Sequence, residues 1–164
     1  MPFTHKALFA TALALCLATA TAQASDLDTA TANEQIIRQA FKDWAERAGA
    51  FARVLSPEIS WQVHGSSPYS RTYTGIESFV NDASMPIISR LETPLKPDLK
   101  QIWSVADKVI VRFDAAALTV TGAPYQNQYL WILTMQDGLV THSEAFLDMA
   151  AYDALVASAP PKSP

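Results

Sequence analysis

The sequence predicts an α+β fold: a cone-shaped, curved antiparallel sheet with helices packed on its concave side, in the order α-β-α-β-β-β. Three observations carry this. Ile37, Phe41, Trp44, Ala48, Phe51 and Leu55 recur at steps of three and four, which gives a helix one apolar face. The second half strings together long strand-like runs, LKQIWSV, KVIVRFDAAALTVT, YQNQYLWILTM and LVTHSEAFL. The last two runs are joined by Asp137-Gly138, a strong signal for a two-residue hairpin turn. Helices set apart from a run of strands pack on one side of a sheet, leaving an open end that can hold a ligand.

The elements follow in order. MPFTHK, with its single Lys6, precedes the apolar run ALFATALALCLATATA and then Ala22-Gln23-Ala24. That is the form of a secretory signal peptide, residues 1–24, with cleavage after Ala24 and a periplasmic or secreted destination. Ser25 to Ala32 is small and polar, as in a linker. Thr31-Ala-Asn-Glu34 has the spacing of a capping box and opens the first helix of a domain over 33–157. Gly49 breaks that helix into a long and a short piece, and Pro57 stops it. EISWQVHG is a strand with Ile59, Trp61 and Val63 on one side. SSPYSRTYTG is a loop, and Thr74-Gly-Ile-Glu77 is a second capping box for a helix from about Ile76 to Leu91, kinked at Pro86. After the strands a short helix runs from Met149 to about Ala157, and residues 158–164 form a disordered tail.

Cys16, the single cysteine, lies in the leader, so the mature chain has no thiol for a disulfide, a nucleophile or a zinc site. The net charge is −4 and becomes more acidic when Lys6 leaves with the leader. That balance argues against nucleic acid or an anionic membrane as partner. His64 and His142 are the histidines of the mature chain, in separate segments without metal-ligand spacing, so neither a metal site nor a cofactor is expected. P-loop, GxGxxG and GxSxG motifs do not occur in the sequence.

Taken together, ISWQVHG with RTYTGIESF, then YQNQYLWILTMQDGLV, then EAFLD resemble the nuclear transport factor 2-like superfamily, and within it the SnoaL-like (polyketide cyclase) branch that shares its fold with the ketosteroid isomerases. The resemblance spans Asn33 to Val156. It implies a pocketed cone, and it implies that Asp148, which matches the acid ending the last strand in the cyclases, serves as a base. No pair of oxyanion donors aligns with those of the isomerases.

The hairpin supplies a separate reading. A two-residue turn at Asp137-Gly138 sets Gln136 opposite Leu139, and the pairing then runs Met135–Val140, Leu133–His142, Trp131–Glu144, Tyr129–Phe146 and Asn127–Asp148. Because strand side chains alternate, these ten residues outward of Gln136 and Leu139 share one face. That face mixes aromatics with His142, Glu144, Asp148 and Asn127, which suits a pocket with apolar walls and a few polar groups, or an interface covered by a second copy. Glu144 beside Trp131 would be desolvated, as a general acid requires. Asp148 ahead of MAAYDAL can equally be the N-cap of the last helix. His64, at a strand end, is either a loop histidine or part of the pocket rim, and Trp61 and Tyr73 either pack or donate. The face carrying Leu130, Ile132, Thr141 and Ser143 is expected to form a homodimer.

These readings converge on an exported domain that binds a small, largely apolar molecule of open identity. Cofactor-independent acid–base chemistry would use Asp148 as base, with His64, His142 or Glu144 stabilising an enolate. Trp131, Tyr129, Phe146, Asn127, Leu133, Trp61 and Tyr73 would contact the ligand. The alternative is a non-catalytic binding or dimerisation module.

Overall fold

A computed structural model of the protein describes residues 8–158 and 160–161, with side chains from Leu27 onward. Met1–Ala7, the charged start of the expected leader, and much of the expected tail lie outside the described residues.

Helix α1 runs without a break over Leu8–Glu46. The expected linker at 25–32 is therefore helical, and the Thr31–Glu34 capping box is not made. The stretch has neither Gly nor Pro and is rich in alanine, so nothing in it interrupts a helix. Thr31 instead donates its hydroxyl to the Leu27 carbonyl one turn back at 2.8 Å. Glu34 accepts from Arg38 at 2.8 Å and from Ser104 at 3.0 Å, which ties the helix to the sheet. Ala30, Asn33, Ile37, Ala40 and Phe41 of α1 are buried, so the helix packs along the apolar face that the spacing marks.

Gly49, at φ +77°, turns the chain into a 3-10 turn at Ala50–Val54, as the break at this glycine requires. Strand β1 then covers Leu55–Val63. It starts before Pro57, which sits in the irregular stretch between Leu55 and Ser60, where a missing N–H does least harm. Strand β2 is short, Thr72–Thr74.

The next helix differs from its sequence reading at both ends. Thr74 pairs with Ser60 in the sheet, so its side chain cannot turn to cap, and the helix opens from Gly75 at φ +82° without a side-chain cap. It comprises α2 at Ile76–Ser78, a π-helical segment at Phe79–Ser84 and α3 at Met85–Ile88. Pro86 cannot donate to the carbonyl of Asp82, and the widened π segment ahead of it takes the place of a sharp kink.

Strands β3 (Lys96–Val105), β4 (Lys108–Leu118), β5 (Pro124–Gln136) and β6 (Leu139–Leu147) follow, then α4 at Met149–Ser158. The fold is α+β, with an open sheet of order β2-β1-β6-β5-β4-β3. One pairing differs from an all-antiparallel sheet, because β1 and β6 run parallel, with Trp61 opposite Ser143 and Val63 opposite Ala145. The meander carries β6 back beside β1, so the sheet is mixed.

The turn behaves as its residues demand. Asp137 and Gly138 both have positive φ, 51° and 77°, and Gln136–Leu139 and Met135–Val140 pair as expected. One residue later the register slips. Thr134 pairs with His142, Leu133 with Ser143, Trp131 with Ala145 and Tyr129 with Leu147. Thr141 is the extra residue of a β-bulge, and beyond it every side chain of β6 points to the opposite face. The expected pairs Leu133–His142, Trp131–Glu144 and Tyr129–Phe146 are thus not formed. Val140, Ser143 and Ala145 are buried on the inner face, while His142, Glu144 and Phe146 face outward.

Candidate functional site

The inner face of the sheet and the helices line a cavity of about 640 Å³ that is open on one side. Alternation in β5 sends Tyr129 and Trp131 inward, and β1 and β2 add Trp61, Val63 and Tyr73. Trp44 comes from α1 and Phe51 from the 3-10 turn. The π segment gives Phe79 and Ala83, the loop after α3 gives Leu91 to Leu95, and α4 closes one side with Tyr152. Aromatic rings pack edge and face around Trp131. Trp44 stacks parallel to it at 5.9 Å, Trp61 meets it edge-on at 4.8 Å, and Phe113 does so at 4.6 Å. Such mutual contacts hold the rings in fixed rotamers, so the walls are stiff. The volume lies within the range that accommodates drug-sized ligands.

Polar groups on the walls are few. Among the described residues Glu92 is the one charged side chain there, accompanied by Ser84, Ser89 and Thr93. Tyrosine hydroxyls supply the rest. Tyr73 donates to the Tyr69 carbonyl at 2.7 Å, and Tyr152 donates to the Ala83 carbonyl at 3.2 Å. Burial pushes the phenols of Tyr125, Tyr129 and Tyr152 up, Tyr129 well above the ordinary value, so all three are neutral donors at neutral pH.

Of the residues singled out in the sequence, Trp61, Tyr73, Tyr129 and Trp131 meet on the cavity wall. The others do not. Leu133 is fully buried in the core beside the cavity. Asn127 is buried and clamps the joint between β6 and α4: its amide donates to the Asp148 carbonyl at 2.9 Å, and its Oδ1 accepts from the Asp148 N–H at 3.0 Å. Asp148 is exposed, and its Oδ1 accepts from the N–H groups of Ala150 at 2.9 Å and Ala151 at 3.2 Å. It is the N-cap of α4, and its carboxylate serves the free N–H groups of the first turn instead of the cavity.

The remaining four lie on the outer face, His142, Glu144 and Phe146 because of the bulge in β6 and His64 at the end of β1 beside them. His64 approaches Glu144 at 3.2 Å and stacks on Phe146 with ring centroids 4.3 Å apart, and His142 is exposed opposite Thr134. The desolvation expected for Glu144 beside Trp131 does not arise, since its side chain is 56% exposed. Asp148, His64, His142 and Glu144 therefore form no acid–base set around the cavity. Among the described residues no group of three His, Cys, Asp or Glu side chains stands close enough to hold a metal ion.

Several wall residues have no local signature in sequence. Tyr69 sits in a loop, and Phe79 and Leu91 to Leu95 flank a helix whose form the sequence does not give. Trp44 and Phe51 read as core, and they serve both as core and as wall. The bulge did leave a trace: apolar parity in LVTHSEAFL shifts from Val140 to Ala145 and Leu147, an odd offset that an inserted residue explains.

No family model matches the sequence, and no curated protein matches it. Solved structures do match. A SnoaL-like polyketide cyclase, so described, from Jannaschia sp. CCS1 superposes with a TM-score of 0.61 at 16% identity, over 79% of this chain and 94% of that one. An NTF2-like protein of unknown function from Burkholderia pseudomallei K96243 gives 0.64 at 16% identity, over 77% and 98%. TerC, co-crystallised with polyporic acid, gives 0.62 at 18% identity, over 77% and 99%. The chain has the nuclear transport factor 2-like fold, shared with the SnoaL-like cyclases, as its sequence motifs suggest. At these identities the likeness is one of fold, and function has to be argued from the cavity.

Proposed function

We propose that this chain is an exported NTF2-like protein that binds a small, largely apolar molecule in the cavity between the helices and the inner face of the sheet. The observation that carries this reading is the wall itself: a space of about 640 Å³ bounded by Trp44, Trp61, Trp131, Phe51, Phe79 and Tyr129, with one charged side chain. An apolar ligand entering it meets a mostly apolar wall and gains about 25 cal/mol per Å² of apolar surface covered. TerC, of the same fold, was crystallised with polyporic acid, which supports small-molecule binding by this architecture. Isomerase or cyclase chemistry through Asp148 draws no support from its position, so binding without turnover by that residue is the reading we adopt.

Export rests on the leader pattern. Cleavage after Ala24 keeps the buried residues of α1 from Ala30 to Phe41 in the mature chain. A homodimer through the outer face remains part of the proposal, with its surface revised: Leu130 and Ile132 lie there with Trp103, Ile110 and Phe146, whereas Ser143 is turned into the core. Trp103 is 48% and Phe146 39% exposed, an apolar patch of the kind that marks interaction sites.

Titration with N-phenyl-1-naphthylamine, a neutral apolar fluorophore, tests the binding reading. Saturable fluorescence enhancement with quenching of tryptophan emission is expected. A linear, unsaturable response at every protein concentration would defeat it.

A further inference from the structure

We propose that the cavity selects lipophilic cations: an apolar body lies between the aromatic walls, an ammonium group stays at the open side beside Glu92, and acids of the same shape are turned away. This deepens the binding reading above and rests on it.

Charge around the cavity is lopsided. Among the described residues that line it there is no Lys, Arg or His, and Glu92 is the one acid. Glu92 both lines the cavity and is exposed, which places it where the wall meets water. Met85, Ile88 and Pro94 share that position and are uncharged. The backbone there is fixed. The N–H groups of Glu92 and Thr93 donate to the Leu118 carbonyl at 2.7 and 3.3 Å, and the Leu118 N–H donates back to the Thr93 hydroxyl at 2.8 Å.

The arginines that adjoin wall residues in sequence do not supply the missing positive charge. Arg71 lies over the Tyr73 ring at 4.8 Å and stands 3.6 Å from Asp82. Arg90 donates to the carbonyls of Pro86 at 2.9 Å and Val156 at 3.2 Å. Arg47 and Arg53 are exposed and are not part of the wall.

A carboxylate carried into such a site loses water, meets no counter-charge and has a like charge at the rim, so its binding is penalised twice. An ammonium group meets the opposite balance. At the open side it keeps part of its hydration and lies beside a carboxylate. The wall also holds three tryptophans, four tyrosines and two phenylalanines, the side chains whose ring faces attract cations. The net charge of −4 adds a long-range attraction of the same sign.

The test uses (4-biphenylyl)methyl-trimethylammonium and 4-biphenylacetate, which share a skeleton and carry opposite charge. Each displaces bound N-phenyl-1-naphthylamine from wild-type protein and from Glu92→Gln, with circular dichroism confirming that the variant is folded. Wild type should prefer the cation by about 3- to 30-fold, the range for exchanging attraction with repulsion beside one partly exposed carboxylate. That ratio should fall at least about 3-fold in Glu92→Gln, and it should shrink in wild type at about 0.5 M NaCl, where an exposed pair is screened. Displacement by both ions equally, by the anion preferentially or by neither overturns the inference and leaves the cavity reading standing. A cation preference that Glu92→Gln leaves unchanged also overturns it, because the rim carboxylate is then not its source. Failure of the naphthylamine itself to bind brings down the cavity reading and the inference with it.

Discussion

Replacing Asp148 separates the two roles that its position in sequence allows. Its Oδ1 accepts from the backbone N–H groups of Ala150 and Ala151 at 2.9 and 3.2 Å, two of the four donors that the first turn of α4 leaves open. Asp148→Ala removes that acceptor, and loss of an N-cap typically costs about 0.5–2 kcal/mol. The backbone stays pinned by Asn127 on both sides, through bonds of 2.9 and 3.0 Å that do not involve the Asp148 side chain, so α4 keeps its place and the cost stays near 1 kcal/mol. For a domain of this size that corresponds to a fall of roughly 3–5 °C in Tm. Asp148→Asn caps about as well and loses only the favourable charge at the helix N-terminus, a few tenths of a kcal/mol to about 1 kcal/mol. Urea denaturation of the three proteins gives the stabilities, and the naphthylamine titration gives ligand affinity in the same samples. Both variants should bind the fluorophore as wild type does. A folded Asp148→Asn protein with affinity reduced tenfold would show that the carboxylate reaches the ligand, and the capping account would fail.

Three other outcomes follow from the same geometry. Asn127→Ala strands the Asp148 N–H and carbonyl and the Gln128 N–H, which Asn127 Oδ1 accepts at 2.7 Å, so it should cost about 2–4 kcal/mol in chemical denaturation, well above Asp148→Ala. Alkaline stability should decline from about pH 10: the buried phenols of Tyr129 and Tyr152 are raised above the ordinary 10.0, the unfolded chain loses its protons first, and stability present below pH 10 is lost as pH rises. Tyr152→Phe should blunt that decline in a pH series of thermal melts, and an identical slope would contradict the assignment. Ile132→Asp, on the outer face, should convert a dimer seen by light scattering into a monomer while leaving fluorophore affinity unchanged. A wild-type protein that is monomeric at micromolar concentration would remove the dimer from the account.

The parts of the fold that the sequence makes plain are those governed by local rules. The face of α1 from Ile37 to Phe41 follows from helical spacing, and the Asp137-Gly138 turn follows from the need for two positive φ angles. Each fails where a second rule intervenes. Thr31 and Thr74 both have the spacing of helix caps, yet Thr31 lies inside an uninterrupted alanine-rich helix and Thr74 inside a strand. The pocket face departs from the turn's register at one residue. The register from the turn holds through Met135–Val140, and Thr141 then inserts and exchanges Ser143 and Ala145 for His142, Glu144 and Phe146. A bulge depends on curvature imposed by the whole sheet, so its position is weakly written in the strand itself. The cavity is less legible again. Trp44, Tyr69, Phe79, Leu91 and Tyr152 come from separate segments, and only the packing of α1, the π segment and α4 over one sheet face brings them together.

The measurement that bears most directly on the proposed function is a crystal structure of the protein grown with N-phenyl-1-naphthylamine. The account predicts ring density inside the cavity, between Trp61, Trp131 and Tyr152, with Asp148 still capping α4 and out of contact with the ligand. Density on the outer face beside Phe146 and His64, with the cavity empty, would contradict it.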